Sequence, residues 1–211
     1  ATDLVMDPRN SDVLYASFEQ RRRHVFTYIG GGPGSGIHKT TDGGQTRKKL
    51  TTGLPKVDMG RIGLAISPVN PDYIFAIIEA SDKKGGFFRS TNRGASWDKM
   101  SDYSTSGNYY QEIICDPKDV DKIFSMNTWL HHTEDGGKNF KKTGEKSKHV
   151  DNHTIWIDPG DTDHWLIGCD GGIYETWDHA ENWQYKANLP VTQFYKLAID
   201  NAEPFYNVYG G

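Results

Sequence analysis

Only two cysteines, Cys115 and Cys169, occur in 211 residues. That rules out a disulfide-dense scaffold. No apolar run reaches the length of a membrane span. The longest, Tyr73 to Ala80, is strand-sized and contains Glu79. Apolar residues make up 36% of the chain and come in short runs, so long amphipathic helices are not indicated. Basic charge is not in excess either. The formal net charge is −4 and the pI about 6.1, without the basic face of a nucleic-acid binder. The one basic cluster, Arg21-Arg22-Arg23, reads as a solvated loop. The chain opens at Ala1 with neither a start Met nor a signal-type apolar run. It reads as a mature or excised segment whose compartment is not directly legible.

What is plentiful is glycine, at 23 residues, and aromatics, at 12%. That mixture suits many short strands joined by tight turns. An eight-residue phrase occurs four times: 40–47 (TTDGGQTR), 90–97 (STNRGASW), 133–140 (TEDGGKNF) and 176–183 (TWDHAENW). Its acidic or amide position falls at Asp42, Asn92, Asp135 and Asp178, with spacings of 50, 43 and 43 residues. A second phrase, Asp/Ser-Pro after a short apolar run, precedes each copy at Asp7-Pro8, Ser67-Pro68, Asp116-Pro117 and Asp158-Pro159. Asp200 to Pro204 is a looser fifth copy. A repeat of this length filled with short strands predicts an all-β fold, a β-propeller of four-stranded antiparallel blades.

Each unit parses into strands A to D, with the eight-residue phrase as the C–D turn. Blade 1 covers about 2–50, blade 2 about 61–100, blade 3 about 109–142 and blade 4 about 153–187, and a partial blade 5 starts at 193. Strands A and B are nearly continuously apolar, as inner strands sandwiched between blades should be. Strand D is polar, as an outer edge should be. In the turn, the Asp or Asn accepts backbone N–H bonds, and the Gly two residues later supplies a positive φ. The terminal aromatic is expected to pack between adjacent sheets. These roles are structural.

The phrase resembles the Asp-box, or BNR repeat, of sialidases, sortilin-type receptor propellers and tandem-propeller glycoside hydrolases. The longer phrases 151–159 (DNHTIWIDP) and 168–172 (GCDGG) resemble large secreted bacterial proteins of the sortilin-like class. The likeness covers the whole chain. It implies a propeller that is secreted, periplasmic or on the cell surface, with no cofactor. Two positions depart from the pattern. Arg47 replaces the aromatic in the first copy, and Ala180 replaces Gly in the fourth, a strain if φ is positive there. The arginine triad and Tyr–Glu pair of the sialidases have no matching positions, so no catalytic residue carries over.

If the repeated turns mark the bottom, ligands belong to the opposite face, built from B–C and D–A loops. The expected contact residues are Arg22, His24, Tyr28, Arg61, Tyr110, Gln111, His153 and Gln193. A glycosidase would need two carboxylates about 5–5.5 Å apart for retention or 6.5–9.5 Å for inversion. The top-face candidates are Asp151, Asp170, Glu79 and Glu19. Adjacent His131 and His132 point to opposite faces of a strand, and no metal site is assigned. The run 30–36 (GGGPGSG) lacks the Gly-Lys-Ser/Thr of a phosphate loop and reads as a flexible top-face loop. Cys115 and Cys169 fall at opposite ends of their strands and are expected to be unpaired thiols.

The expected function is that of an extracytoplasmic binding propeller for a peptide or polysaccharide. The alternative is a glycoside hydrolase of the Asp-box class. Four blades and part of a fifth leave two open faces. The remaining blades are expected from the same parent chain or from another chain.

Overall fold

The computed structural model describes residues 1–187 and 196–210. Gln193, one of the expected contact residues, lies outside the described residues. The first sheet is built from β1 (Asp3–Met6), β2 (Leu14–Phe18), β5 (Gly36–Thr40) and β6 (Lys48–Lys49). The second contains β7 (Met59–Ile66), β8 (Ile74–Ala80), β9 (Gly86–Ser90) and β10 (Asp98–Ser101). The third contains β11 (Glu112–Cys115), β12 (Ile123–Met126), β13 (His131–Thr133) and β14 (Lys141–Lys142). The fourth contains β15 (Asn152–Ile157), β16 (Trp165–Cys169), β17 (Gly172–Thr176) and β18 (Gln184–Tyr185). Every neighbouring pair is antiparallel, and strand order follows chain order. A further hairpin joins β19 (Leu197–Ile199) to β20 (Val208–Gly210).

The segment expected to be a loop between Glu19 and Ser35 instead contains a second hairpin, β3 (Arg21–His24) and β4 (Thr27–Gly30). The arginine cluster is therefore strand, exposed along its whole length. Strand A of the third sheet starts only at Glu112. Gln111 has φ 87°, a left-handed value that an extended strand cannot contain.

The repeated turn closes in the same way four times. Thr40 Oγ1 donates to Asp42 Oδ1 at 2.6 Å and accepts from Gly44 N at 3.0 Å. Thr133 does the same with Asp135 and Gly137, and Thr176 with Asp178 and Ala180. Ser90 serves Asn92 and Gly94. The acceptor then takes the backbone N–H four residues on, at Thr46, Ser96, Asn139 or Asn182. Two consecutive left-handed residues make each bend, including His179 at φ 56° and Ala180 at φ 70°. The fourth copy thus holds an alanine where glycine is favoured. These bonds pull the carboxyls of Asp42 and Asp135 down to about 2. For Asp42 the Thr40 hydroxyl contributes most. For Asp135 desolvation pushes the other way, but the hydrogen bonds from Asn139, Thr133 and Lys138 together outweigh it.

Each bend is clasped to the A–B turn of its own sheet. The N–H groups of Gly43, Arg93, Gly136 and His179 donate to the carbonyls of Asp12, Asp72, Asp121 and Asp163. Both turn types therefore share one end of each sheet, and the B–C and D–A connections share the other.

Three apolar cores fill the joints between sheets. Val13, Tyr15 and Ile37 of the first sheet meet Leu64, Ile74, Ile78 and Phe88 of the second. Phe75, Ile77 and Phe87 meet Ile113, Cys115 and Ile123. Phe124 and Met126 meet Ile155, Ile157, Trp165 and Ile167. Fully burying one such side chain is worth roughly 1.5–3 kcal/mol, so the joints rather than the turns dominate cohesion. The aromatic ending the second, third and fourth repeated turns cements the joint to the preceding sheet. Trp97 is 3% exposed in the first core, and Phe140 lies edge-on to Phe87 at 5.0 Å. Arg47, at the same position in the first copy, places its guanidinium 5.1 Å from the Phe18 ring. Gly63 is obligatory at the second joint, because a Cβ there would lie 1.6 Å from the Gln111 carbonyl oxygen.

Candidate functional site

The end opposite the repeated turns gathers side chains around the starts of the inner strands. Tyr110 O–H donates to Asp151 Oδ1 at 2.7 Å and accepts from Thr128 Oγ1 at 3.3 Å. The rings of Tyr110 and His153 stack with centroids 5.9 Å apart. His153 Nε2 pairs with Asp170 Oδ1 at 2.8 Å. The backbone ties these loops together, since Asp170 N donates to Asp151 O and Asp151 N to Thr128 O. Asp151 itself is left-handed, at φ 62°. A non-glycine residue in that region stores strain, which functional sites commonly do. Burial pushes the Tyr110 hydroxyl up, and the Asp151 carboxylate adds to the rise. His153 and Asp170 keep side-chain exposures of 46% and 61%, so both retain capacity to meet a ligand.

Behind this rim lie two acids that the sequence reading did not single out. Asp3 accepts from Leu64 N at 2.7 Å and from Leu4 N at 2.8 Å. Glu112 stands 3.7 Å from Arg61 Nη2. Burial raises both carboxyls, while Lys196 and Arg61 oppose the rise in each. His153 also lowers Glu112, and Asp3 raises it, so these groups share one electrostatic space. A sequence signal did exist. Asp3, Glu112 and Lys196 each stand four residues before the Asp that opens the A–B turn of their strand, at Asp7, Asp116 and Asp200.

The loop carrying Asp151 is held by a buried ion pair. Lys148 and Glu145 have side-chain exposures of 0% and 3% and meet at 2.9 Å. Lys148 Nζ also donates to Asn152 Oδ1 and His149 O, both at 2.6 Å. Glu145 accepts from Leu130 N and Asn152 Nδ2. No spacing in the sequence announced this arrangement.

The expected contact residues separate into groups. Arg61, Tyr110, His153, Asp151 and Asp170 come together as described. Gln111 does not present itself to a ligand. It is 1% exposed and binds Thr105, Ser104 and the Arg61 carbonyl, so it works as a joint between sheets. Arg22, His24 and Tyr28 lie on the exposed β3–β4 hairpin, where Arg22 Nε donates to His24 Nε2. Glu79 accepts from Arg61 N at 3.3 Å in space left by Gly60 and Gly107. Glu19 has a buried Oε1 without a partner. Neither Glu79 nor Glu19 hydrogen-bonds to the rim acids. A depression of about 580 Å³ lies between Gly32-Pro33 and residues 49–59, and none of its lining residues belongs to the rim cluster.

The remaining polar candidates are internal. His132 bonds Thr143 Oγ1 at 2.7 Å, and burial drives its imidazole down to about 4. His131 binds the Trp129 carbonyl instead. Cys115 is buried and Cys169 half-buried, and neither is bridged. Burial raises both thiols away from the reactive thiolate.

Comparison with known proteins yields a fold. No family model and no curated protein matches the chain. Among solved structures, a GH74 xyloglucanase from Xanthomonas campestris aligns at TM-score 0.61 and 16% identity, over 90% of this chain and 30% of its own. An ancestral GH74 enzyme aligns at TM-score 0.59 and 17% identity, over 88% of this chain and 24% of its own. YCF48 from Cyanidioschyzon merolae aligns at TM-score 0.52 and 11% identity, over 93% and 58%. The chain thus spans less than a third of the length of either of these two GH74 enzymes. At these identities the likeness establishes the β-propeller fold alone.

Proposed function

We propose that this chain is a wedge of an extracytoplasmic binding propeller of the sortilin-like type, with Asp-box turns at its base. It recognises a peptide or polysaccharide on the opposite face. The observation that carries this reading is the His153–Asp170 pair beside Tyr110 and Asp151. In the repeated turns the acidic groups are saturated by their own backbone, whereas this rim keeps exposed donors and acceptors where the inner strands converge. The stacked Tyr110 and His153 rings offer an apolar edge to a sugar or side chain. The secreted setting rests on the sequence resemblance. The missing blades, from the same or another chain, would complete the ring around this rim.

The alternative is a glycoside hydrolase. It is favoured by Glu112 and Asp3, whose carboxyls are raised by burial, as a general acid requires. One experiment separates the two. Binding to a panel of peptides and glycans, xyloglucan among them, is measured by calorimetry alongside sugar release. Under the binding reading, His153→Ala and Asp170→Ala each weaken binding about tenfold or more, the loss of one charge-assisted contact. No sugar is released. Sugar release abolished by Glu112→Gln or Asp151→Ala would replace the binding reading with the enzymatic one.

A further inference from the structure

The β3–β4 hairpin stands apart from the sheet that carries it. It lies within the connection from β2 to β5, and no third strand of the described residues pairs with it. Every residue of its two strands is exposed. So is its tip, where Val25 and Phe26 are 90% and 96% exposed. One bond sets the ladder. Gly31 N donates to Gln20 O at 2.9 Å, and bonded and non-bonded pairs alternate along an antiparallel pair of strands. Arg22–Ile29 and His24–Thr27 are therefore bonded pairs, and Arg21–Gly30 and Arg23–Tyr28 are not. The backbone N–H and C=O groups of Arg21 and Arg23 point away from β4, along an edge with no neighbouring strand. Such an edge is a template for another strand.

The charge on this edge is of one sign. Neither Asp nor Glu occurs between Glu19 and Asp42. The arginines in ion pairs among the described residues are Arg9, Arg61, Arg89 and Arg93, and none belongs to the hairpin. Arg21 lies over the Tyr28 ring at 5.7 Å, and Arg22 Nε donates to His24 Nε2 at 2.8 Å. The chain as a whole carries −4, so the hairpin is a cationic projection on an acidic molecule. A second copy is a poor occupant, because arginines set opposite arginines repel. An acidic polysaccharide would meet the arginines but brings no row of backbone donors and acceptors for the edge. We propose that β3 is a docking edge for a carboxylate-rich, extended segment of a partner protein, which adds to the hairpin as a third strand. Its backbone closes the outward groups of Arg21 and Arg23, and its carboxylates pair with the guanidinium groups. Phe26 at the tip supplies an aromatic anchor. The four residues of β3 span about 13 Å. At the hairpin's foot, Gly32 and Pro33 open the depression of about 580 Å³, where Lys49 and Lys56 outnumber Asp58 and carry the cationic surface on. Docking at this edge is independent of what the rim of Tyr110, Asp151, His153 and Asp170 binds.

The test is fluorescence anisotropy of the whole chain with a labelled synthetic peptide of alternating Glu and Thr. Three competitors are compared with it: the same peptide N-methylated at every residue, an oligogalacturonate of equal charge, and phosphatidylglycerol vesicles. The unmodified peptide should bind, and Arg21→Glu with Arg23→Glu should raise its Kd about tenfold or more. Both arginines are exposed, so that variant keeps the four sheets, which circular dichroism checks. N-methylation keeps every carboxylate but removes the backbone donors, and should weaken binding by a similar factor. Absence of peptide binding overturns the proposal, and so does binding that the arginine substitutions leave unchanged. An N-methylated peptide or an oligogalacturonate that binds as tightly as the unmodified peptide shows attraction by charge alone and overturns strand addition. Tighter binding to the vesicles assigns the hairpin to a lipid surface and likewise overturns it. Peptide binding lost in His153→Ala but kept in the arginine variant belongs to the rim, which upholds the rim as a binding site and overturns the docking edge.

Discussion

Single side chains in this protein earn their positions by closing backbone bonds that nothing else closes. Asp135 takes the N–H groups of Lys138 and Asn139, the Thr133 hydroxyl and the Asn139 amide. Asp135→Ala is expected to lower stability by about 1–2 kcal/mol, the scale of a lost N-cap, as read by urea denaturation. The pH dependence has a defined sign. The folded-state carboxyls of Asp42 and Asp135 are held near 2, below their ordinary 3.8. Their contribution is present above the unfolded value and is lost as pH falls from there through about 2. Urea midpoints measured across that range should fall with pH, and the fall should be shallower in Asp42→Asn with Asp135→Asn. An unchanged slope would mean that these carboxylates do not titrate with folding.

At the scale of elements, the connections are stiffened by contacts that cross between sheets. Lys148→Met leaves Glu145 charged and buried without its partner, and about 3–5 kcal/mol of stability should be lost. Adding Glu145→Gln should return much of it, because the amide still accepts from Leu130 N. Failure of that rescue in equilibrium denaturation would assign the loss to packing rather than charge. Gly63→Ala drives a methyl into the Gln111 carbonyl and should cost about 3 kcal/mol or more. Strands that lead into a repeated turn were legible in the sequence: β5, β9 and β17 each run directly into one of the turn phrases beginning at Thr40, Ser90 and Thr176. The β3–β4 hairpin was hidden because the glycine run after it reads as loop. The end of strand at Gln111 was hidden because nothing in Tyr110-Gln111 demands a left-handed backbone. Half of the rim was legible as loop acids and aromatics. Asp3 and Glu112 were missed because they lie inside strands, where alternation suggests packing. Lys148 and Glu145 were missed because a buried ion pair looks like any other pair of surface charges.

For the whole molecule, the informative surfaces are the two at its ends. Leu4 and Met6 are 59% and 53% exposed on the first sheet, and Trp156 and Ile173 are uncovered on the fourth. Adjacent exposed apolar side chains of this kind mark association surfaces. Leu4→Glu with Met6→Glu should reduce concentration-dependent self-association in light scattering while leaving the melting temperature of the four sheets nearly unchanged. A melting temperature that drops sharply instead would show that these side chains are packed within the same chain. Arg47 fits the same picture. It stands where Trp97, Phe140 and Trp183 reach back to the preceding sheet, and its guanidinium lies instead over the Phe18 ring of its own sheet.

The clasp between each repeated turn and the A–B turn of its own sheet also bears on how the chain is made. Gly43 to Asp12, Arg93 to Asp72, Gly136 to Asp121 and His179 to Asp163 all close within one repeat. A sheet can therefore lock its base as soon as its fourth strand has left the ribosome, without waiting for residues still to be synthesised. Such local closure keeps loop entropy small and favours fast, stepwise folding. The apolar joints mature one repeat later. During synthesis the growing end is always a finished sheet with one sticky face, and the next repeat is its cover.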